Sequence, residues 1–178
     1  ILGTGPIGLF HLIKANLMGA GKLISIDPSK FRLSIAQEFG ATHIINSDQK
    51  EEIKDQILSI SENVGVDMVI DCSGVAEGFG IALELIREGG MVIEVGIFSN
   101  SHEIPINPHK HILEKSARVI GVGGDEISQY YPSIKILERT INTLPWEKII
   151  SHEYKIENVH AAMDMAMSDN SMKVILSP

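Results

Sequence analysis

Three glycines near the start of the chain have a spacing that suits phosphate binding. They are Gly3, Gly5 and Gly8 of the hexapeptide GTGPIG, which follows two apolar residues. The first glycine permits a tight turn out of a strand, the second lets the backbone approach a pyrophosphate, and the third lets a helix pack closely on that strand. Free N–H groups and the helix dipole then attract phosphate oxygens. The pattern predicts a dinucleotide-binding turn, with a plain glycine-rich turn as the alternative.

The residues around these glycines favour a helix that starts within the motif. Pro6 falls near the first helical turn, where its missing N–H costs little. Leu9, Leu12 and Ile13 make the helix apolar, as expected for one that packs on a sheet. Ile7 stands where the tighter G-x-G-x-G turn of an S-adenosylmethionine methyltransferase would have its third glycine. A methyltransferase is therefore the less favoured interpretation of the motif.

Asp27 lies about twenty residues after the glycines, which is the usual distance of the acid that binds a dinucleotide's ribose. It ends the short apolar run LISID. Its carboxylate is predicted to accept hydrogen bonds from the adenosine ribose of NAD and to repel the 2′-phosphate of NADP. The alternative role for Asp27 is that of an acid at the start of a helix, in the turn DPSK. Arg32 either contacts the ribose, weakens the discrimination against NADP, or is a solvated surface residue.

Short apolar runs alternate with amphipathic segments along most of the chain. The runs span residues 23–27, 43–46, 66–71, 91–96 and 117–122, and helical spacing covers residues 29–39, 53–60, 75–86 and 127–141. This alternation predicts crossover units and a parallel sheet that is covered on both faces. Counting from Ile1 gives six strands. We therefore expect an α/β fold with a Rossmann-type, doubly wound, six-stranded parallel sheet in the order 3-2-1-4-5-6.

The pattern changes after the segment TLPWEK at residues 143–148. An extended piece at 152–156, a helix with an apolar inner face, and a strand at 173–177 do not continue the crossover units. The residues expected on the inner face of that helix are Val159, Ala162, Met163 and Ala166. We therefore expect a dinucleotide-binding domain at residues 1–142 and a tail at residues 143–178 that belongs to another layer.

Composition narrows the class of partner. The chain has 178 residues, with 15 basic and 23 acidic side chains and a formal net charge of −8. This balance disfavours nucleic acid or an anionic membrane as the main partner, because both attract positive surfaces. No apolar run is long enough to span a bilayer. The single cysteine excludes an intramolecular disulfide and a cysteine-rich zinc site within the chain, and it fits a reducing, cytoplasmic setting.

Longer motifs resemble a known family when they are taken in order. These are GTGPIGLF, SIDPSKFRLSIAQEFGATHIIN, GVDMVIDCSG, REGGMVIEVG and NSMKVILSP. Together they resemble the C-terminal half of a zinc-containing alcohol dehydrogenase of the medium-chain dehydrogenase/reductase family. The resemblance implies the NAD-binding part of an alcohol or polyol dehydrogenase, which moves hydride between the nicotinamide and an alcohol or carbonyl carbon of a small molecule. It implies zinc only in a full-length protein, so no catalytic residue or metal ligand is expected here and the chain alone is expected to be inactive.

The resemblance also places individual residues beside the cofactor. It puts Cys72 and Ser73 at the adenine end, Val95, Gly96 and Ile97 at the nicotinamide end with Val122 and Gly123 close by, and Lys173 near the pyrophosphate. Sheet packing is the alternative role for Val95, Ile97 and Val122. A local hydrogen bond is the alternative for Ser73, and for Cys72 a packed, unreactive thiol is favoured over a reactive one.

Several expectations concern the protein beyond the motif. A first strand of two residues is short against the usual five or six, so we expect the chain to begin inside a strand. By resemblance, residues 143–178 complete a catalytic domain whose N-terminal part is absent, and the protein is a homodimer or homotetramer joined near the sixth strand. A stand-alone NAD(H)-binding regulatory module is the main alternative function. The substrate is not readable from this half of the protein.

Three histidines share the loop before residue 112, namely His102, His109 and His111. Two imidazoles at alternate positions could bind a metal. A solvated loop is favoured, because only Glu103 and Glu114 are close in sequence as further ligands.

Overall fold

The computed structural model describes residues 1–96, 103–124 and 126–178. Ile97 and His102, which carry expectations from the sequence, lie outside the described residues. The chain divides into two compact units, Ile1–Val122 and Gly123–Pro178. The predicted domain division after residue 142 lies further along the chain and stays a prediction.

The first unit alternates strands and helices as the sequence predicts. Its strands are β1 (Ile24–Asp27), β2 (His43–Asn46), β3 (Val66–Asp71), β4 (Ile86–Glu94) and β5 (Arg118–Gly121). Its helices are α1 (Pro6–Leu17), α2 (Lys30–Glu38), α3 (Lys50–Ile60) and α4 (Ala76–Leu85), with a π-helical turn at His109–Leu113. Strand β1 pairs with β2, β3 with β4, and β4 with β5, all in parallel.

Leu2 joins these strands into one sheet. It forms parallel bridges to Ile26 of β1 on one side and to Asp71 of β3 on the other. The Leu2 amide donates to the Ile70 carbonyl at 2.9 Å, and the Gly3 amide donates to the Ile26 carbonyl at 2.8 Å. The order is therefore β2-β1-Leu2-β3-β4-β5. This confirms the predicted doubly wound sheet, with Leu2 in the place of its first strand.

The core lies on both faces of this sheet. Every residue of β1 is buried, as expected for a central parallel strand that is covered on two sides. On α1 the buried residues include Leu9, Leu12 and Ile13, so the apolar face predicted for this helix is confirmed. One cluster holds most of the other buried apolar side chains: Leu2, Ile24, Ile26, Ile45, Ile53, Ile57, Val69, Ala82, Leu83, Leu85, Ile86 and Val92.

The boundary between α4 and β4 differs from the sequence expectation. Periodicity places Ile86 at the end of the helix, whereas the helix ends at Leu85 and Ile86 begins the strand. Ile86 pairs with Val66, and the register of β3 against β4 shifts between Val66 and Met68. Gly89 has a φ of +69° within this irregular part of β4. An irregular pairing of this kind leaves no period in the sequence, so the pattern of apolar residues does not reveal it.

The second unit contains a smaller parallel pair of strands. Its elements are α5 (Tyr130–Thr140), β6 (Ile150–Lys155), α6 (Val159–Ala166) and β7 (Lys173–Ser177), with 3-10 turns at Ile127–Gln129, Trp146–Lys148 and Ile156–Asn158. Strands β6 and β7 form a two-stranded parallel sheet. The extended piece, helix and strand expected after residue 143 are therefore present. On α6 Ala162 is buried as expected, whereas Met163 and Ala166 are exposed, so the inner face predicted for this helix is wrong at these two residues. Within the described ranges, no helix combines the length and apolar character needed to cross a membrane.

Candidate cofactor-binding site

The glycine turn leaves open space at the start of α1. Gly5 is the N-cap of the helix, and Pro6 occupies its first position. A Cβ added to Gly5 would meet no atom within 4 Å. In the described part of the chain, no side chain caps this helix end. The exposed N–H groups of the first turn and the positive end of the helix dipole therefore suit a phosphate.

The other two glycines are required by packing within the protein. Gly3 has a φ of +80°, and a Cβ there would lie 2.6 Å from the Cα of Ser73. A Cβ on Gly8 would lie 1.9 Å from the carbonyl oxygen of Gly3. Neither position admits a side chain. Packing within the fold therefore does not require a glycine at position 5. Space for a bound ligand explains the glycine there.

Asp27 ends β1 beside the glycine turn and has only 3% of its surface exposed. Its Oδ2 accepts a hydrogen bond from the Thr4 amide at 2.6 Å, and its Oδ1 accepts one from the Ser29 amide at 2.8 Å. One carboxylate therefore ties the glycine turn to the start of α2. Each carboxylate oxygen can accept more than one hydrogen bond, so a carboxylate at this position suits ribose hydroxyls.

A buried polar network around Asp27 was not predicted from the sequence. Thr4 and Ser25 are fully buried, and their hydroxyls are hydrogen-bonded to each other. The Ser29 side chain caps α2 by accepting from the Arg32 amide at 3.0 Å. The helix start in DPSK was expected at Asp27, whereas the capping side chain is that of Ser29. Nothing in the sequence joins Thr4 to Ser25. Arg32 lies in the first turn of α2, and a contact of its guanidinium with the ribose stays a prediction.

The end of β3 packs directly against the glycine turn. Asp71 is fully buried, and its Oδ1 accepts from the Ser73 amide at 2.9 Å. The Ser73 hydroxyl bonds weakly with the Val75 backbone at 3.4 Å. Ser73 therefore makes the local hydrogen bonds that were expected as the alternative to a contact with the cofactor. Its backbone also occupies the space that a side chain on Gly3 would need.

Cys72 is a half-buried free thiol in this turn. Burial raises the pKa of the thiol to about 12, opposed by the Ile1 ammonium and supported by the carboxylates of Asp71 and Glu94. A thiol with a raised pKa holds little of the reactive thiolate near neutral pH. The structure therefore fits a packed, unreactive cysteine.

The end of β4 lies next to that of β3. The Val95 amide donates to the Asp71 carbonyl at 3.0 Å, and the Gly96 amide donates to Glu94 Oε1 at 2.9 Å. A Cβ on Gly96 would lie 2.8 Å from the Gly74 nitrogen. The two loops therefore meet backbone to backbone.

Val122 continues this edge on the far side of β4. Its amide donates to the Glu94 carbonyl at 2.9 Å. Its surface is 46% exposed, so packing in the sheet core does not account for it.

One edge of the sheet therefore collects most of the predicted cofactor residues. The loops after Leu2, β1, β3, β4 and β5 bring Gly3, Gly5, Pro6, Ile7, Gly8, Asp27, Cys72, Ser73, Val95, Gly96 and Val122 to the carboxyl ends of parallel strands. This is where open α/β sheets bind their ligands. Gly123 and Lys173 belong to the second unit, so their contacts with the cofactor stay predictions.

A large cavity lies away from this edge. It has a volume of about 930 Å³ and is lined by residues such as Leu23, Ile24, Val66 and Met68, from β1, β3 and the turns before them. None of the predicted cofactor residues lines it.

The histidines and acids do not form a metal centre in the residues that the structure describes. No three His, Cys, Asp or Glu side chains come together there in a way that could hold a metal ion. His109 Nδ1 lies 3.3 Å from Glu114 Oε1, and His111 Nε2 lies 3.8 Å from Glu84 Oε1. These are pairs with single carboxylates, so a resident zinc does not fit this part of the protein.

Comparison with known proteins identifies the family. Residues 6–139 match the model of the zinc-binding dehydrogenase family. The chain belongs to this family. It is 30% identical over 178 residues to L-threonine 3-dehydrogenase of Pseudoalteromonas translucida, covering 99% of this chain and 50% of that protein. It is 29% identical over 180 residues to sorbitol dehydrogenase of Halalkalibacterium halodurans, covering 100% of this chain and 51% of that protein. The chain thus spans about half the length of the curated relatives it matches.

Solved structures give the same result for the fold. An alcohol dehydrogenase from Thermotoga maritima superposes with a TM-score of 0.88 at 28% identity, over 99% of this chain and 48% of that chain. A protein described as a zinc-binding dehydrogenase from Sinorhizobium meliloti, solved with NADP bound, superposes with a TM-score of 0.83 at 25% identity. That match covers 99% of this chain and 51% of the other. The Rossmann-type fold predicted from the sequence is confirmed.

Proposed function

We propose that this chain binds NAD(H) at the carboxyl edge of its sheet and forms the cofactor-binding half of a zinc-type alcohol or polyol dehydrogenase. The observation that carries the proposal is the open space over Gly5 at the start of α1, with Asp27 on the neighbouring strand. Family membership supports a nicotinamide cofactor. The family match over most of the chain does not favour a regulatory module or a methyltransferase.

The residues at this edge have distinct tasks in the proposal. The first N–H groups of α1 bind the pyrophosphate, and the carboxylate of Asp27 accepts from the adenosine ribose. The loop after β3, with Cys72 and Ser73, lies at the adenine end, and the residues after β4 and β5, such as Val95 and Val122, support the nicotinamide half. When bound, the nicotinamide supplies the hydride chemistry, and this chain's residues bind and orient it. The buried position of Asp27 beside the ribose favours NAD, because its charge repels a 2′-phosphate.

The substrate and the metal belong to the wider protein. The relatives named above act on threonine and sorbitol, and we propose that the full-length protein acts on a small alcohol, polyol or carbonyl compound. Because the described residues hold no metal cluster, a zinc that polarises the substrate oxygen would need ligands from elsewhere. We therefore expect this chain alone to bind the cofactor without oxidising an alcohol.

We further propose that the protein forms a homo-oligomer through β5. This strand pairs only with β4 among the described strands and is exposed at all of its residues. An unpaired, apolar edge of a sheet readily pairs with another chain. A two-fold arrangement of two such edges would extend the sheet across the interface.

Titration of the chain with NADH and NADPH, followed by the fluorescence of the reduced nicotinamide, tests the cofactor site. We expect NADH to bind at least about tenfold more tightly than NADPH, from the charge of Asp27. Asp27→Asn should weaken NADH binding and narrow that ratio, because the amide carries no charge and presents an NH₂ group in place of one acceptor oxygen. If the natural chain binds neither form, the proposal is wrong.

Asp67→Asn is the matched control for this test. It removes the same charge from β3, close to the opposite end of the sheet, where Asp67 forms an exposed ion pair with Arg87 at 2.7 Å. We expect it to leave both affinities unchanged. An equal loss of binding in the two variants would mean that total charge, rather than the site, decides affinity.

A further inference from the structure

Asn46 joins the two loops that lie beside the candidate ribose site. It is the last residue of β2 and the register partner of Asp27 at the end of β1. Its Nδ2 donates to the Pro28 carbonyl at 2.8 Å, and its Oδ1 accepts from the Asp48 amide at 2.8 Å. One side chain therefore fastens the loop after β2 to the loop after β1.

These two hydrogen bonds need the amide group of an asparagine. Its NH₂ group only donates and its oxygen only accepts, so the side chain has one orientation that satisfies both partners. An aspartate at this position would have no donor for the Pro28 carbonyl. Asn46 is only half-buried, so the loops that it joins, and not packing in the core, explain its residue type.

The Pro28 carbonyl and the Ser29 amide belong to one peptide group. This group is planar and its C=O and N–H point in opposite directions, so holding the carbonyl also fixes the direction of the N–H. The Ser29 N–H donates to Asp27 Oδ1 at 2.8 Å. Asn46, this peptide group and the Asp27 carboxylate therefore form one chain of hydrogen bonds, in which each bond polarises the next.

We propose that Asn46 is a positioning residue that holds the Asp27 carboxylate in the orientation required by the adenosine ribose of NAD(H). This inference rests on the proposed function, which places that ribose at Asp27. Hydrogen bonds to the ribose depend on where the carboxylate oxygens point, whereas repulsion of a 2′-phosphate depends mainly on their charge. Loss of the Asn46 donor keeps the charge and releases the peptide group that orients it. NAD(H) binding therefore depends on Asn46 more than NADP(H) binding does.

Asn46→Ala tests this proposal by titration of the chain with NADH and NADPH. We expect the Kd for NADH to rise about threefold to tenfold, the usual effect of losing one hydrogen bond, while the Kd for NADPH stays within about twofold. The preference for NADH should therefore narrow. In a chain that already carries Asp27→Asn, the further change Asn46→Ala should raise the Kd for NADH by less than about twofold, because the carboxylate that Asn46 positions is gone.

Asn16→Ala is the matched control for this test. Asn16 Nδ2 donates to the Phe39 carbonyl at 3.1 Å, so it makes the same kind of bond at the end of α2, away from Asp27. We expect it to leave both Kd values unchanged, and urea unfolding measures the stability that each variant loses. If Asn16→Ala weakens NADH binding as much as Asn46→Ala does, general destabilisation explains the loss and the proposal is wrong.

The remaining outcomes separate this inference from the proposed function. If the natural chain binds NADH and Asn46→Ala leaves the ratio of the two Kd values unchanged, the positioning role of Asn46 is refuted, even where both forms bind more weakly. A full further loss in the Asp27→Asn chain would also refute it, because Asn46 would then act without the carboxylate. If the natural chain binds neither cofactor, the proposed function itself fails, and the role of Asn46 fails with it.

Discussion

Gly5 and Gly8 differ in what an added side chain would meet, so substitutions at these residues separate binding from folding. Gly5 has a φ of −65° and open space around it. We expect Gly5→Val to weaken NADH binding by more than about tenfold, because the side chain fills the space of the pyrophosphate. The free energy of unfolding should fall by about 1 kcal/mol or less, the cost of a poorer N-cap. NADH titration and urea unfolding measure the two effects.

Gly8→Ala is the matched comparison in the same turn. Its methyl group would collide with the carbonyl oxygen of Gly3. We expect the free energy of unfolding to fall by about 1–3 kcal/mol or more, as for other overpacked sites. If Gly5→Val destabilises the chain as much as Gly8→Ala, the space at Gly5 serves packing and not a ligand.

The sequence predicts the roles of single residues unevenly. The spacing of Gly3, Gly5 and Gly8 with Asp27 was readable because it reflects one local turn and one neighbouring strand. The bond from the Thr4 amide to Asp27 was not readable, because nothing in the types of these residues marks them as partners.

Among the elements, α4 depends on a distant lysine at its end. Lys115 Nζ donates to the carbonyls of Leu83, Glu84 and Ile86 at 2.7–2.8 Å. A cation at a helix C-terminus satisfies the last carbonyls and complements the helix dipole. We expect Lys115→Met to lower the free energy of unfolding by about 1.5–3 kcal/mol, the usual value for hydrogen bonds to a charged group. Urea unfolding measures the change.

Lys54→Met provides the control on the neighbouring surface. Lys54 pairs with Glu84 at 3.2 Å, and its side chain is half exposed. An exposed pair of this kind contributes about 0–1 kcal/mol. If both variants lose equal stability, the capping of α4 by Lys115 contributes nothing beyond an ordinary surface ion pair.

The elements themselves were predictable to different degrees. Strands β1, β2 and β3 match the predicted runs closely, because each is a short apolar segment between turn residues. The start of β4 was wrong, because an irregular pairing with β3 brings Ile86 into the strand. The sequence also does not predict the cap on α4. Lys115 lies about thirty positions from the carbonyls that it binds, and nothing in the sequence identifies them as partners.

At the scale of the whole molecule, the candidate site exists only because the sheet brings distant segments to one edge. Leu2 joins the two halves of the sheet, and the turn that follows it packs on the end of β3. The order of the motifs along the chain was sufficient to predict this arrangement, because doubly wound sheets follow strict connection rules. The order of the motifs does not show what pairs with the outer edge of the sheet.

That outer edge is β5, where Val119 and Ile120 are 43% and 44% exposed. We expect the chain to form a homodimer through this strand, seen as a doubled mass in light scattering and as dissociation on dilution. Ile120→Lys should shift the chain toward the monomer, because a charged side chain on an edge strand opposes pairing. Ile141→Lys adds the same charge at an exposed apolar residue of the second unit and should leave the mass unchanged. A natural chain that stays monomeric at high concentration, or equal dissociation in both variants, would show that β5 is not the interface.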